Sequence, residues 1–391
     1  MDLTIQPGKL RGEIQIIPSK SQAHRLLICA AFADTPTELI CPETNQDIAA
    51  TADCLRALGA AIQRTETGYF VTPCAQCPHT AVLNCRESGS TLRFLLPVAG
   101  ALGVDTTFQM TGRLPQRPLS PLWEEMERMG CKLSRPTPDT IRCEGKLRAG
   151  TYRIDGGVSS QFITGLLLAL SLLGEESRLE ITGKMESAPY IDMTKQAMVL
   201  FGADPENPGK LPFRSPGKLT VEGDWSNGAF WLAAEALGNP VTVHGLDNAS
   251  FQGDRVVAQL LPQLLNGTTN ICAKDIPDLV PILSVAAAAK YGAVFSDIRR
   301  LRLKESDRVA STIAMIEALG GKATADENTL TVYSTGLIGG TVDAVNDHRI
   351  AMAAAVAATV CTQPVTILGA QCVQKSYPRF WEEYRQLGGK V

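Results

Sequence analysis

Glycines at positions 59, 130, 202, 267, 320 and 388 close helix-like stretches such as Leu55-Arg56-Ala57-Leu58 and Ile316-Glu317-Ala318-Leu319, at intervals of 71, 72, 65, 53 and 68 residues. Each passes the chain from a helical pattern to a strand-like one, as a glycine C-cap allows. A second, independent series has the same spacing. Polar turns open the most apolar stretches at Lys20-Ser21, Ser88-Gly89-Ser90, Ser159-Ser160-Gln161, Trp225-Ser226-Asn227, Ile276-Pro277-Asp278 and Asn346-Asp347-His348-Arg349; counted from residues 20, 88, 159, 226, 278 and 346, the intervals are 68, 71, 67, 52 and 68. A period of this length, sustained in two registers, means six copies of one supersecondary unit.

Each copy pairs a helix that is apolar nearly all round with an amphipathic one, separated by strand-like pieces such as Tyr69-Phe70-Val71 and Thr329-Leu330-Thr331-Val332-Tyr333. A helix without a polar face has to be interior. The expected fold is therefore α/β, with inner helices, sheets outside them and amphipathic helices on the exposed sides. A chain of 391 residues is long for one core. Three copies per domain is the natural division. It gives a discontinuous domain of residues 1–18 plus 224–391 and an inserted domain of 19–223. Two crossings between domains suit a hinge and a cleft.

Composition narrows the classes. The net charge of −3 and the pI near 5.9 leave no general basic surface for nucleic acid. The most apolar run, Phe162 to Leu173, is too short to cross a bilayer. Met1-Asp2-Leu3-Thr4-Ile5-Gln6 has no basic region leading into an apolar one, so no signal peptide and a cytoplasmic location are expected. Eleven cysteines, an odd number, fit a reducing compartment. Cys74, Cys77 and His79 are ligand types that zinc accepts, but no second paired half follows, so no metal is expected. No phosphate-binding G-x-x-x-x-G-K-[ST] loop, dinucleotide fingerprint or H-E-x-x-H helix is present.

Cations concentrate in the turns. Lys20 and Arg25 belong to the first; Arg117 lies in Gln116-Arg117-Pro118-Leu119, Lys304 and Arg308 in Lys304-Glu305-Ser306-Asp307-Arg308, Arg349 in the last helix opening, and Lys375 in Lys375-Ser376-Tyr377-Pro378. Helix N-termini add positive half-charges, so the pattern suits a small, multiply anionic substrate. Asp278, Glu305 and Asp47 interrupt the set. An acid among lysines and arginines is either an ion-pair partner or a proton carrier; Asp47 reads as the cap of the helix from Ile48 to Leu58. Ser19 or Ser21 reads as the cap of the helix that follows Lys20.

Taken in order, Pro18-Ser19-Lys20-Ser21 with Arg25, Ser88-Gly89-Ser90-Thr91-Leu92-Arg93, Arg117-Pro118-Leu119, Ser159-Ser160-Gln161-Phe162, Ser187-Ala188-Pro189-Tyr190-Ile191-Asp192, Ile276-Pro277-Asp278, Lys304-Glu305-Ser306-Asp307-Arg308, Asn346-Asp347-His348-Arg349 and Lys375-Ser376-Tyr377-Pro378 resemble the 5-enolpyruvylshikimate-3-phosphate synthase family. The resemblance implies a two-domain inside-out α/β barrel of six βαβαββ units, with the inner helices facing an interdomain cleft. It implies transfer of the enolpyruvyl group of phosphoenolpyruvate to shikimate 3-phosphate, without metal or organic cofactor, by a monomer that binds neither nucleic acid nor membrane. Ser21, Arg25, Ser159, Ser160, Ser187, Tyr190, Asp278 and Lys304 would hold shikimate 3-phosphate. Lys20, Gly89, Arg117, Gln161, Arg308, Arg349 and Lys375 would enclose phosphoenolpyruvate, and Lys20, Asp278 and Glu305 would move protons. Further candidates are His348, Arg300 and Ser90. Glu87 and Arg300 depart from the family pattern, which bears on affinity and on sensitivity to the inhibitor glyphosate.

Two rival readings share the cationic turns. The sister enolpyruvyl transferases acting on UDP-N-acetylglucosamine carry a cysteine in a glycine-rich loop, whereas Met110 to Leu122 is short and has none. A non-catalytic sugar-phosphate binder would gain nothing from Asp278 and Glu305 among its cations.

Overall fold

The structure is a computed structural model that describes all 391 residues. It comprises two compact units, Met1–Ile17 with Gly223–Val391, and Pro18–Glu222. The chain passes between them one residue earlier, at both crossings, than the sequence-based boundaries.

Strands β1 (Leu3–Ile5) and β2 (Gly12–Gln15) open the discontinuous unit. The inserted unit then runs α1 (Lys20–Ala31), β3 (Thr37–Ile40), α2 (Gln46–Ala57), β4 (Ala61–Arg64), β5 (Gly68–Thr72), β6 (Thr80–Asn84), α3 (Gly89–Leu102), β7 (Asp105–Gln109), α4 (Leu122–Arg128), β8 (Cys131–Ser134), β9 (Thr140–Gly145), β10 (Thr151–Asp155), α5 (Ser160–Leu170), β11 (Arg178–Thr182), α6 (Ala188–Leu200) and β12 (Lys218–Thr220). The discontinuous unit resumes with α7 (Trp225–Ala236), β13 (Val241–His244), α8 (Val257–Asn266), β14 (Thr269–Cys272), α9 (Val280–Ala289), β15 (Ala293–Ser296), α10 (Arg308–Ala318), β16 (Ala323–Ala325), β17 (Thr329–Val332), β18 (Gly340–Asp343), α11 (His348–Ala357), β19 (Val365–Leu368) and α12 (Phe380–Gln386).

Three sheets have four strands in one order: β12-β3-β5-β4, β6-β7-β9-β8 and β14-β15-β17-β16. In each the first two strands are parallel and the closing hairpin is antiparallel. The other copies are reduced. They are the parallel pairs β10-β11 and β2-β13, and β18-β19 with β1 added antiparallel. The element common to all six copies is therefore βαβα, and three carry the full closing hairpin. The shortest interval in the glycine series follows from this. Helix α8 ends at Asn266 and β14 begins at Thr269, with no hairpin between them.

The odd-numbered helices are the inner ones. Every residue of α11 is buried, as is all of α9 except Ala289, and α3 and α5 are buried almost throughout. In the discontinuous unit α7, α9 and α11 pack on one another; in the inserted unit α3 lies along α5, and α1 packs on α2 and α6. Ser19, Ser88, Ser159, Asp224 and Asp347 cap α1, α3, α5, α7 and α11 by accepting backbone N–H groups. Ser19, not Ser21, is thus the cap of the first inner helix. Helix α9 has no side-chain cap, and Asp278, which stands just before it, is left for other partners. Trp231 of α7 stacks on Phe380 of α12 at 5.0 Å and donates its indole N–H to the Tyr377 hydroxyl at 2.9 Å, which fixes the last helix to the core.

Helices α3 and α5 approach each other tightly at Gly165. Pro97 inside α3 supplies no N–H for the Arg93 carbonyl one turn earlier. Gly165 of α5 approaches that carbonyl so closely that a Cβ there would lie 2.2 Å from the oxygen and 2.9 Å from Pro97 Cγ. Gly165→Ala must push α3 and α5 apart and is expected to cost about 3 kcal/mol. In a unit of about 200 residues this lowers Tm by about 6–12 °C. Calorimetry showing an unchanged Tm would contradict the crossing.

Candidate active site

In the inserted unit the N-termini of α1, α3 and α5 come together. Gln161 at the start of α5 donates Nε2–H to Ser90 Oγ of α3 at 3.0 Å, and its Oε1 accepts from Arg93 Nη1 at 2.7 Å. Arg93 also donates to the Pro118 carbonyl at 3.0 Å and lies over the Phe162 ring, so one guanidinium ties α3, α5 and the loop carrying Arg117. The Arg117 guanidinium rests against Gly89, where a Cβ would be 2.7 Å from Nη1. Glycine at this helix opening is what admits the cation. Glu87 turns onto Gly112 in the same loop.

Arg25 is buried one turn into α1. It donates to Thr194 Oγ1 (2.8 Å), the Ser21 carbonyl (2.5 Å), Thr164 Oγ1 (3.3 Å) and the Tyr190 carbonyl (2.9 Å), and so joins α1 to α5 and α6. Burial lowers it to about 10, and it stays a cation at neutral pH. Ser159 and Ser160 flank the start of α5 and are buried. Ser187 precedes α6 with φ 56°, a left-handed conformation uncommon for serine. Lys20 Nζ pairs with Asp47 at 3.1 Å. The expected capping role of Asp47 is taken by Asn45, whose side chain accepts the Ile48 N–H at 2.9 Å. The carboxylate two residues further on is thereby released to meet Lys20.

In the discontinuous unit the same construction surrounds a carboxylate. Asp278 meets Arg308 at 2.5 Å, Arg349 at 3.2 Å and Lys304 at 3.6 Å. Burial alone would raise its carboxyl; Lys304, Arg308 and Arg349 together hold it well below the usual carboxylate range. Arg308 is shared further, with Glu305 at 2.7 Å and Asp347 at 2.9 Å, and these carboxylates outweigh its own burial to keep it charged. Burial draws Lys304 down to about 8 despite Asp278, with Arg308 and Arg300 acting in the same direction. Arg349 donates to the Ser226 carbonyl at the start of α7 at 2.8 Å. Lys375 donates to the Asn346 carbonyl at 2.9 Å, and His348 opens α11 beside Arg349, buried.

The expected residues thus form two clusters, one on each unit, each built where inner helices begin. Four contributors lie outside the expected roles. Arg93 stands four residues after Gly89 as Arg25 stands four after Ser21, and that shared offset inside an apolar helix was its signal. Asp347 gave only a cap signal; its second oxygen accepts from Arg308 and from Ser306 Oγ at 2.8 Å. Thr194, with Thr164, carries no signal at all. No group of three or more His, Cys, Asp or Glu side chains is arranged to hold a metal ion, and Cys74 and Cys77 stand with Sγ atoms 3.4 Å apart. Asp347→Ala removes a cap and leaves Arg308 short of a carboxylate in a buried network, an expected loss of about 3–5 kcal/mol. Asn45→Ala removes a cap alone and is expected to cost about 1 kcal/mol. Equal losses in chemical denaturation would contradict the network.

Comparison with known proteins bears on the whole chain. The family model described as EPSP synthase (3-phosphoshikimate 1-carboxyvinyltransferase) matches residues 5–384. The 3-phosphoshikimate 1-carboxyvinyltransferase of Clostridium kluyveri is 37% identical, with 100% of this chain and 98% of the relative covered. That of Clostridium acetobutylicum is 36% identical over 99% and 97%. Among solved structures, EPSP synthase from Acinetobacter baumannii superposes with a TM-score of 0.79 at 20% identity, covering 99% of this chain and 98% of that one. The enolpyruvyl transferase NikO from Streptomyces tendae reaches 0.71 at 18% identity, with 100% and 97% covered. These two show a shared fold, while the family match and the clostridial relatives extend end to end: the chain belongs to the EPSP synthase family.

Proposed function

We propose that the protein transfers the enolpyruvyl group of phosphoenolpyruvate to the 5-hydroxyl of shikimate 3-phosphate and releases phosphate. The observation that carries this, beside the family, is Asp278 held ionised among Lys304, Arg308 and Arg349 with Glu305 on the same guanidinium. A site meant only to bind anions gains nothing from these acids. A site that must take a proton from a hydroxyl and give one to carbon needs them.

Arg117, Arg308, Arg349 and Lys375, with Lys20, neutralise the carboxylate and phosphate of phosphoenolpyruvate; Gly89 and Gln161 shape that end. Ser21, Ser159, Ser160, Ser187, Tyr190 and Lys304 serve shikimate 3-phosphate. Arg25 serves it too: four of its five N–H donors brace Ser21, Tyr190, Thr164 and Thr194, and one Nη1 hydrogen is left for the substrate. In the addition step the 5-hydroxyl oxygen bonds to C2 of phosphoenolpyruvate, its proton goes to Asp278, and C3 gains a proton from Glu305 or Lys20. In the elimination step C3 returns its proton to the group that gave it, the C2–O bond to phosphate breaks, the departing phosphate takes the proton held by Asp278, and the enol ether is left on the shikimate ring. The reading calls on no metal and no organic cofactor.

The low proton affinity of Asp278 in the free protein suits it poorly as a base. An arriving phosphate and carboxylate share its cations, so the negative charge of the substrate raises that affinity at the moment it is needed. A coupled assay of phosphate release from phosphoenolpyruvate is expected to show turnover only when shikimate 3-phosphate is present. Asp278→Asn is expected to lower kcat about 10²–10⁴-fold, with shikimate 3-phosphate still bound in calorimetry. Near-normal turnover in that variant would remove Asp278 from the base role. Release without the acceptor would overturn the transfer reaction.

A further inference from the structure

Asp254 belongs to none of the expected motifs. It sits in a short 3-10 turn, Gly253–Val256, ahead of α8, and its side chain is 2% exposed. Oδ2 shares a hydrogen bond with Ser226 Oγ, while Oδ1 is buried without a partner. Ser226 is also the residue whose carbonyl receives Arg349 Nη1. The turn packs on α7 and α8. Helix α8 carries no charged residue, and α7 has only Glu235 near its far end, with Asp224 capping its start. The charges acting on Asp254 are therefore Asp278 and Asp224, both negative, and Arg349. Its neighbour Arg255 points away, to the Asn248 carbonyl at 2.6 Å. A carboxylate with one bare buried oxygen, facing two other acids, is poorly accommodated; the neutral acid is accommodated well.

We propose that Asp254 is a proton-holding positioning residue. As a neutral acid it fixes Ser226 and through it the Arg349 guanidinium, and on losing its proton it adds a negative charge beside Arg349 that competes with the anionic substrate. This rests on the functional reading above, which gives Arg349 to phosphoenolpyruvate. Burial first, and Asp278 next, raise the Asp254 carboxyl to about 7, against the opposing effects of Ser226 and Arg349, so the change falls where it can be measured.

The test is KM for phosphoenolpyruvate in the phosphate-release assay from about pH 5.5 to 8.5, expressed as the ratio of the parent protein to Asp254→Asn so that the ionisation of the substrate cancels. The ratio is expected to rise about fivefold with pH, the order expected for one buried charge near a charged ligand. Ser226→Ala removes a bond that favours the ionised form, so the rise is expected at higher pH in that background. A flat ratio, or a rise that Ser226→Ala does not move, would overturn the proposal.

A ligand-free arm separates the two levels. The folded protein holds a proton that the unfolded chain has lost, so this contribution to stability is complete below the ordinary aspartate value and is lost as pH rises to about 7. The Tm of Asp254→Asn relative to the parent is expected to climb over that window and then level. If the thermal signature is present and the KM ratio is flat, Asp254 titrates but does not act on Arg349, and the proposal fails while the transfer reaction stands. If the parent shows no turnover, the functional reading fails and takes this proposal with it, whatever the thermal arm shows.

Discussion

The Arg308 guanidinium is taken out of water with Asp278, Glu305 and Asp347 around it. Removing a cation from solvent costs several kcal/mol, and the neighbouring charges recover this only when geometry and hydrogen bonding are good. Here all three guanidinium nitrogens have carboxylate partners, so the start of α10, the turn before α9 and the cap of α11 are held as one piece. Replacing the network with apolar side chains could leave the fold standing. It would leave nothing to set Asp278 among cations, which is the property the proposed chemistry uses.

The inserted unit meets a related problem with a different solution. Arg25 and Arg93 are buried one turn into apolar helices and are satisfied mainly by hydroxyls, carbonyls and an amide, with aromatic faces at 5.1 and 5.4 Å. The partners in these bonds are neutral, whereas the discontinuous unit sets cations and acids side by side. One cluster is suited to anchoring anions, the other to moving protons between acids and a bound anion. The cap residues serve both. By satisfying their own helix ends they determine which side chains are left over, as with Asn45 releasing Asp47 and the absent cap of α9 releasing Asp278.

Much of the fold was legible because the repeat leaves its mark on spacing. Five of the six periodic glycines adopt positive φ; Gly267 is extended at 167°. The shortened interval was visible in the sequence, but its cause, a missing hairpin after α8, was not, since strand pairing is decided by neighbours far along the chain. β12 completes a sheet that begins with β3, about as distant as two elements of the inserted unit can be. Site residues carried on helix openings could be named because the turn chemistry is local. Asp47 was misread as a cap because asparagine and aspartate two residues apart give the same local signal. Asp254 looked like any surface turn, and only its packing under α7 makes it buried.

The dependence of Asp278 on Arg308 is tested most directly by a double-mutant cycle on kcat/KM with Arg308→Lys and Asp278→Asn, the folded state of each variant checked by its Tm. Lysine cannot reproduce three directed guanidinium bonds. If Arg308 acts by holding Asp278, the double variant is expected to be little worse than the poorer single one, with a coupling of about 1.5 kcal/mol or more. Losses that add to within about 0.5 kcal/mol would mean that the two residues act independently, and would contradict the central role given to this ion network.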